Sequence, residues 1–320
     1  MMNRLFEKGR MKYIFALLVF AIGQLLVVTG YLNDYLFSTL TTLCINIILA
    51  VSLNLITGFT GQFSLGHAGF MSIGGYVCAL ISMRIPTVPG FLLGVLTGAL
   101  AAAFVGFIVG LPTLRLKGDY LAIATLGMAE IIRIIFLNLK ITNGAAGLNG
   151  IPQFVDWMWL SLFTFSSIIL ISNFIRSAHG RACVSIREDE IAAESIGIHA
   201  TKYKVTAFVI GAFFAGIAGG LYASYFYFLR PTLFGFSRSI DILVIVVLGG
   251  IGSLSGSVIA AILLALISTY LQAFPELRMV FYAVALVVIM IVRPQGLMGS
   301  KELSLDLLKG FGRKRQRGGS

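Results

Sequence analysis

Few residues in this 320-residue chain could bind a charged ligand or transfer a proton within its long apolar stretches. Glu130 and Arg133 are three residues apart, a spacing that places both side chains on one face of a helix and predicts an ion pair. His67 follows a glycine-rich stretch, where it could contact a substrate or be a helix-end residue hydrogen-bonded to the backbone. Ionisable side chains are costly to bury in hydrocarbon, so these three residues are candidates for a binding role; a self-contained Glu130–Arg133 pair with a purely structural role is the alternative.

A second group of chemically active residues is acidic and lies in the polar segment 176–204. Four of the 13 acidic residues of the chain fall here within seven positions: Glu188, Asp189, Glu190 and Glu194. Negative charge favours a helix N-terminus, so we predict one helix that begins near Ser185 and ends at Gly197. Helices that lie on a membrane surface are normally rich in Lys and Arg. The acids therefore favour a docking helix for a soluble protein.

Two glycine-rich stretches each follow an apolar run directly and combine closely spaced Gly with a Ser-Leu pair. Glycine at this density destabilises a helix by about 1 kcal/mol per residue, so each stretch is predicted to be interrupted or re-entrant. Paired interruptions of this kind indicate a transport site, because irregular backbone at membrane depth must be buried in protein or line a wet cavity. The predicted translocation-pathway residues are Gly58, Gly61, Gln62, Ser64 and His67 in the first stretch, and Gly249, Gly250, Gly252 and Ser253 in the second.

The elements that must position these residues are apolar helices. Hydrophobic residues make up 58% of the chain and charged residues 12%, and the mean hydropathy is +0.95. The apolar runs lack the period-two alternation of a β-barrel. We therefore predict an all-α fold, a polytopic integral membrane helical bundle with about 8 to 10 transmembrane helices. The hydrophobic segments are 12–32, 36–56, 69–84, 90–111, 120–138, 157–175, 205–227, 239–250, 257–273 and 279–292, of which 239–250 is too short to cross alone.

Charge placement predicts the orientation and the domain boundaries. Arg4, Lys8, Arg10 and Lys12 precede the first segment, so both termini are predicted to be cytoplasmic by the positive-inside rule. The chain then divides into a cytoplasmic tail (1–11), a transmembrane domain (12–292) and a basic cytoplasmic tail (293–320). The net charge of +11 clusters at the chain ends and in loops, which disfavours a nucleic-acid partner. The three cysteines have no metal-like spacing, so we predict free thiols and no metal site.

Two stripes of small residues predict close helix–helix contacts. They are Gly94, Gly98, Ala102, Gly106 and Gly110, and then Ala212, Gly216, Gly220 and Ser224. Four-residue spacing puts each set on one helical face, where small side chains let another membrane helix approach; a substrate pathway is the alternative. Asp119 and Asp241 are predicted to cap helices or lie at the interface. The polar loop 138–156 is either a solvated loop or a contact for an external partner.

With these residues in place, the chain resembles the membrane permeases of branched-chain amino acid ABC importers, and among them the M-type subunit. The matching stretches are NLITGFTGQFSLGHAGFMSIGGY (54–76), LRLKGDYLAIATLGMAEIIR (114–133), the segment 180–223, VVLGGIGSLSGSVIAA (246–261) and RPQGL (293–297). The resemblance implies a cytoplasmic coupling loop for ATPase subunits within 176–204, formed by Arg187, Glu188, Asp189, Glu190, Ile191, Ala192, Ala193, Glu194 and Gly197. Its Glu-Ala-Ala-x-x-x-Gly motif is matched at Ala192, Ala193 and Gly197, whereas Ile191 stands where the motif has Glu.

The resemblance also implies an assembly in a bacterial plasma (inner) membrane. A second homologous permease subunit, two ABC ATPase subunits, an extracytoplasmic substrate-binding protein and membrane lipid are its expected partners. The sequence contains no Gly-Lys pair and hence no Walker A loop, the glycine-rich loop that binds ATP phosphates. We therefore expect the ATPase subunits to bind ATP and Mg²⁺, and we expect this chain to have no cofactor and no catalytic residue. Permeases for urea, amides or other amino acids are alternative identities. An ion-coupled secondary transporter is disfavoured because Glu130 is the single acidic residue well inside a predicted span. An enzyme is disfavoured because the sequence shows no cluster of catalytic residues.

Overall fold

The computed structural model describes residues 33–116 and 118–270, together with residues 20, 21, 23–25, 29, 280, 284, 287, 288, 291 and 296–299. The predicted first and tenth segments lie largely outside the described residues, as do most of both tails. The helices with described bounds are α1 (Asp34–Asn54), α2 (His67–Arg84), α3 (Val88–Thr113), α4 (Asp119–Asn138), α5 (Trp157–Arg176), α6 (Ala178–Glu188), α7 (Glu190–Ser195), α8 (Ala200–Phe226), α9 (Phe236–Gly249) and α10 (Leu254–Tyr270).

The predicted all-α membrane bundle is confirmed. Among the residues that the structure describes, six helical stretches are long and apolar enough to cross a membrane: Asp34–Phe59, Val88–Thr113, Asp119–Asn138, Trp157–Arg176, Ala200–Phe226 and Pro231–Gly249. Segment 239–250, predicted to be too short to cross alone, is part of the last of these stretches. A 3₁₀ turn at Pro231–Phe234 precedes α9, and together they make an apolar stretch of 19 residues.

Helices α2, α3 and α8 pack together most extensively, and the two predicted stripes of small residues meet there. A Cβ atom added to Gly98 would lie 2.6 Å from the carbonyl oxygen of Gly74, and one added to Gly216 would lie 2.8 Å from the Cβ of Ala102. Such distances leave no room for a side chain, so the backbones themselves are in contact. The predicted helix–helix interfaces are confirmed, because small residues are what permit this approach in a membrane.

The chain alternates between two ends of the bundle. At one end, a two-stranded antiparallel pairing joins β1 (Leu148–Asn149) to β2 (Phe228–Leu229), so the polar loop 138–156 is tied to the turn after α8. At the opposite end lie α6, α7 and both glycine-rich stretches. We call these the strand end and the coupling end. The loop 138–156 is therefore partly ordered by backbone pairing, and its Lys140–Thr142 and Gly144–Ala146 segments form 3₁₀ turns.

Both glycine-rich stretches interrupt helices, as predicted. Helix α1 continues into a π-helical turn at Leu55–Phe59, and no helix follows until α2 begins at His67. Helix α9 ends at Gly249 and α10 begins at Leu254, which leaves a short connection of four residues. The expected cap at Asp241 is wrong: α9 begins at Phe236 after Gly235, so Asp241 lies more than one turn inside the helix.

Candidate functional site

The acidic segment forms two helices where one was predicted. Helix α6 begins at Ala178, well before the predicted start at Ser185, because the Ser177 hydroxyl accepts a hydrogen bond from the Gly180 amide at 3.3 Å. The helix breaks at Asp189, whose Oδ1 accepts hydrogen bonds from the amides of Ile191 and Ala192 at 2.9 and 3.0 Å. Asp189 is thus the N-cap of α7, which explains why a local acidic cluster divides the segment.

Helix α7 is held against the bundle by one apolar contact and one ion pair. Ala193 is buried, and it clusters with Ile186 of α6 and Ala200 of α8. Lys204 Nζ lies 2.7 Å from Glu190 Oε1, which ties the first turn of α7 to the start of α8. The predicted end of the helix is confirmed, since α7 stops at Ser195 and Gly197 has a left-handed φ of 87° that favours glycine.

The opposite face of this helix pair is exposed and mixes acidic with apolar side chains. Ile191 is 78% exposed and Ile196 is 75% exposed, although both are large apolar residues. Glu188 and Glu194 are also exposed. We call these four residues the docking face. Exposed large apolar side chains among charged ones are typical of a protein–protein contact.

Arg187 connects this helix pair to both helix interruptions. Its Nη1 donates a hydrogen bond of 2.7 Å to the carbonyl oxygen of Gly58, and its guanidinium also forms an ion pair with Glu188. The backbones of Gly61 and Gly252 lie against the same side chain: a Cβ atom added to Gly61 would be 3.1 Å from Arg187 Cγ, and one added to Gly252 would be 2.9 Å from Nη1. Three of the predicted pathway glycines thus surround one arginine of the predicted coupling loop.

Asn54 joins the two interruptions to each other. Its Oδ1 accepts a hydrogen bond from the Gly252 amide at 2.9 Å. Its Nδ2 donates to the Ser253 carbonyl oxygen at 2.9 Å and to Ser257 Oγ at 2.8 Å, and a longer contact of 3.4 Å reaches the Gly250 carbonyl oxygen. The side chain is fully buried. Sequence reasoning missed Asn54, although a lone amide one turn before Gly58 in an apolar run is an unusual signal.

The remaining predicted pathway residues lie beside this junction and are buried. His67 begins α2, and its Nε2 lies 2.8 Å from the Ser52 hydroxyl; the predicted helix-end position is right, while the partner is a side chain and not the backbone. Ser64 Oγ accepts a hydrogen bond from the Gly66 amide at 3.3 Å. The Gln62 amide group is buried, and neither of its polar atoms has a hydrogen-bond partner among the described residues. Gly249 packs directly on Gly256 of α10.

Two further predictions concern charged and thiol groups. Arg133 Nε donates to Glu130 Oε2 at 2.7 Å, so the predicted ion pair forms within α4. Cys44, Cys78 and Cys183 are free thiols, and all three are buried. In α6, burial raises the pKa of the Cys183 thiol to about 11, so this group is protonated at neutral pH.

Comparison with known proteins identifies a family that matches most of the chain. Residues 35–292 match the family model described as "Branched-chain amino acid transport system / permease component". The chain is 37% identical to the high-affinity branched-chain amino acid transport system permease protein LivM of Escherichia coli, over 95% of this chain and 78% of the relative. It is 27% identical to the permease protein LivH of the same organism, over 85% of this chain and 97% of the relative.

More distant relatives extend beyond the enterobacteria. A probable branched-chain amino acid transport permease protein LivM of Methanocaldococcus jannaschii is 25% identical over 82% of this chain and 92% of the relative. No solved structure matches the chain. The family model covers well over half of the sequence and includes both helix interruptions and the two coupling-end helices. The chain belongs to the family of permease components of branched-chain amino acid transport systems.

Proposed function

We propose that this multi-pass membrane permease imports branched-chain amino acids across a bacterial plasma membrane, using ATP that separate subunits hydrolyse. Its relatives LivM and LivH carry branched-chain amino acid transport in their names, and the present chain matches both over most of its length. The observation that carries the proposal is the Arg187 junction. It links an exposed helix pair, suited to a soluble partner, to two helix interruptions at the end of the apolar bundle.

In this proposal, the two ATPase subunits bind ATP and Mg²⁺, and one of them contacts the docking face of α6 and α7. Closure of the ATPases displaces the helix pair. Because Arg187 donates to the Gly58 carbonyl oxygen and Asn54 holds the connection between α9 and α10, the displacement reaches both interruptions. Gly58, Gly61, Gly250, Gly252 and their neighbours then form the cytoplasmic end of the translocation pathway. A second, homologous permease completes that pathway, and an extracytoplasmic binding protein delivers the substrate.

A test of the docking face uses an exposed apolar side chain that supports nothing within the chain. Ile191→Asp places a new charge where Ile191 is 78% exposed, so the permease itself should fold normally. Desolvating that charge in an interface is costly, so co-purification with the ATPase subunits is expected to fall about tenfold or more. Ile141→Asp is the matched control, because Ile141 is 53% exposed at the strand end. Retained ATPase binding by Ile191→Asp, at the level of the control, would contradict the proposed docking face.

The direction and substrate of transport are tested with the full assembly in proteoliposomes. Uptake of radiolabelled leucine is expected to require both the binding protein and ATP on the ATPase side of the membrane. Uptake that proceeds on a proton or sodium gradient without ATP would refute the coupling. Uptake of urea in preference to leucine would refute the substrate while leaving the coupling intact.

A further inference from the structure

A polar groove lies between α1 and α10, away from the Arg187 junction. It has a volume of about 180 Å³ and is lined by Tyr35, Ser38, Thr39, Thr42, Asn46, Ala265, Ser268 and Thr269. The α1 members are spaced at intervals of three and four residues and therefore occupy one face of the helix. All of them except Asn46 belong to the strand-end half of α1, whereas Asn54 at the other end of the same helix holds the start of α10. The groove and the coupling junction thus share one helix pair.

Seven of the eight lining residues have a hydrogen-bonding side chain, although both helices are apolar overall. A face of this composition is unfavourable against lipid, because hydrocarbon offers no hydrogen-bond partners. The α3 helix shows the contrast, since its exposed side chains include Leu93, Leu96 and Leu100. The groove is therefore suited to a polar ligand or to water, and it is not part of the lipid-facing surface.

The three threonine hydroxyls in the groove are arranged as acceptors, while the Tyr35 hydroxyl donates across the groove to the Thr269 carbonyl oxygen at 3.4 Å. Thr39 Oγ1 donates its proton to the Tyr35 carbonyl oxygen at 3.1 Å, and Thr42 Oγ1 donates to the Ser38 carbonyl oxygen at 3.0 Å. On the facing helix, Thr269 Oγ1 donates to the Ala265 carbonyl oxygen at 2.8 Å. Each threonine hydroxyl proton is thus used in a hydrogen bond to a backbone carbonyl oxygen, and the lone pairs of the hydroxyl oxygen can accept hydrogen bonds from a ligand. Acceptors of this kind suit an ammonium group.

The Asn46 end of the groove has the opposite character. Arg238 of α9 donates from Nη2 to Asn46 Oδ1 at 2.8 Å. This contact fixes the orientation of the Asn46 amide: Oδ1 accepts from Arg238, and Nδ2 is the amide donor that a ligand would meet. An oriented N–H donor of this kind suits a carboxylate. Asn46 lies one helical turn beyond Thr42, so the acceptor region and the donor region are about 5–6 Å apart along the axis.

From this polarity we propose that the α1–α10 groove binds the zwitterionic head group of the transported amino acid. The ammonium group contacts the threonine hydroxyl oxygens, and the carboxylate contacts the Asn46 amide next to Arg238. This inference rests on the proposed import of amino acids and specifies where the substrate is held. It places the head group on the same helix pair that Asn54 anchors at the coupling end, so a displacement there changes the shape of the groove.

The test is cysteine accessibility in the complete assembly, reconstituted in membrane vesicles with the binding protein. The three native cysteines are buried, so a new cysteine is the reporting thiol. Thr42→Cys is treated with a charged, membrane-impermeant methanethiosulfonate reagent. Thr97→Cys is the matched control, because Thr97 on α3 also donates back to its own helix, at 2.7 Å to the Leu93 carbonyl oxygen. Only thiolates react and lipid suppresses ionisation, so labelling at position 42 is expected to be about tenfold faster or more.

Protection by ligands distinguishes a substrate site from a protein contact and from a groove that holds only water. Leucine with the binding protein is expected to slow labelling of Thr42→Cys, whereas leucine methyl ester, which lacks the carboxylate charge, is expected to give little protection. Equal protection by the binding protein without leucine would overturn the proposal, because the groove would then be a protein contact. Labelling that leucine does not slow, or that is no faster than at position 97, would also overturn it. Ser38→Cys provides a second groove thiol if Thr42→Cys fails to assemble.

A kinetic variant separates this inference from the proposed function. Asn46→Asp keeps the shape of the side chain and the contact with Arg238 but replaces the Nδ2 donor with a negative charge. Leucine uptake is expected to fall about 10- to 100-fold in kcat/KM, while ATPase association and basal ATP hydrolysis persist. Unchanged uptake would refute the head-group site alone. Failure of the unaltered assembly to couple ATP hydrolysis to leucine uptake would instead refute the proposed function.

Discussion

Replacing Arg187 with alanine should uncouple ATP hydrolysis from transport. Arg187 is the described side chain that bonds the coupling-end helices to the first helix interruption, through the 2.7 Å hydrogen bond from Nη1 to the Gly58 carbonyl oxygen. The side chain is 28% exposed, so solvent screens it only partly. A hydrogen bond to a charged group contributes about 1.5–3 kcal/mol, and each 1.4 kcal/mol corresponds to a factor of about ten. We therefore expect the leucine imported per ATP hydrolysed to fall about tenfold or more.

The assay measures leucine uptake and ATP hydrolysis in the same proteoliposomes, so that the ratio of the two reports coupling. Arg181→Ala is the matched control, because Arg181 also lies on α6 but donates to the carbonyl oxygen of Arg176, the last residue of α5. Arg187→Lys should be intermediate, since a lysine can donate to Gly58 but cannot also hold Glu188 with a planar fork. An unchanged ratio in Arg187→Ala would refute the proposed transmission. Lost ATPase binding would show that Arg187 serves docking instead.

Two further predictions concern packing and thiol reactivity. Gly98→Ala places a Cβ atom 2.6 Å from the Gly74 carbonyl oxygen and should destabilise the protein by about 1–3 kcal/mol. Gly127→Ala is the control and should be neutral or stabilising, because a Cβ atom there has no neighbour within 4 Å. Thermal unfolding in detergent compares the stability of the two variants. Equal melting temperatures would contradict the backbone contact. Cys183 is 1% exposed with a pKa of about 11, so maleimide should label it at pH 7 only after denaturation, as mass spectrometry would show. Rapid labelling of the native protein would contradict the described burial.

The features that follow from local pattern could be predicted from sequence. The membrane spans depend on runs of apolar residues, and the ability of α3 and α8 each to approach another helix closely depends on small residues at four-residue spacing. The end of α7 follows from Gly197, because glycine alone adopts a left-handed backbone at no steric cost. In each case, the residues that determine the structure are neighbours in sequence.

The features that depend on distant contacts could not be predicted. Asn54 bonds to a connection about 200 positions away, and nothing in its own neighbourhood identifies that partner. Asp189 is one of several neighbouring acids, and charge alone does not show which carboxylate becomes the helix cap. The apolar run begins near Asp241, whereas the helix itself begins five residues earlier, at Phe236. Hydropathy locates spans, but helix boundaries follow from capping and turn geometry.

The close contact among α2, α3 and α8 limits how this permease can change shape. Backbones that touch at Gly74, Gly98 and Gly216 cannot slide past one another without collision, so these three helices act as a static frame. The pair formed by α1 and α10 has a polar groove near one end and the Asn54 hydrogen bonds at the other, and we expect it to move relative to that frame during the proposed transport cycle. A spin-label distance within the frame should therefore stay constant through the ATP cycle, while a distance from the frame to α10 should change.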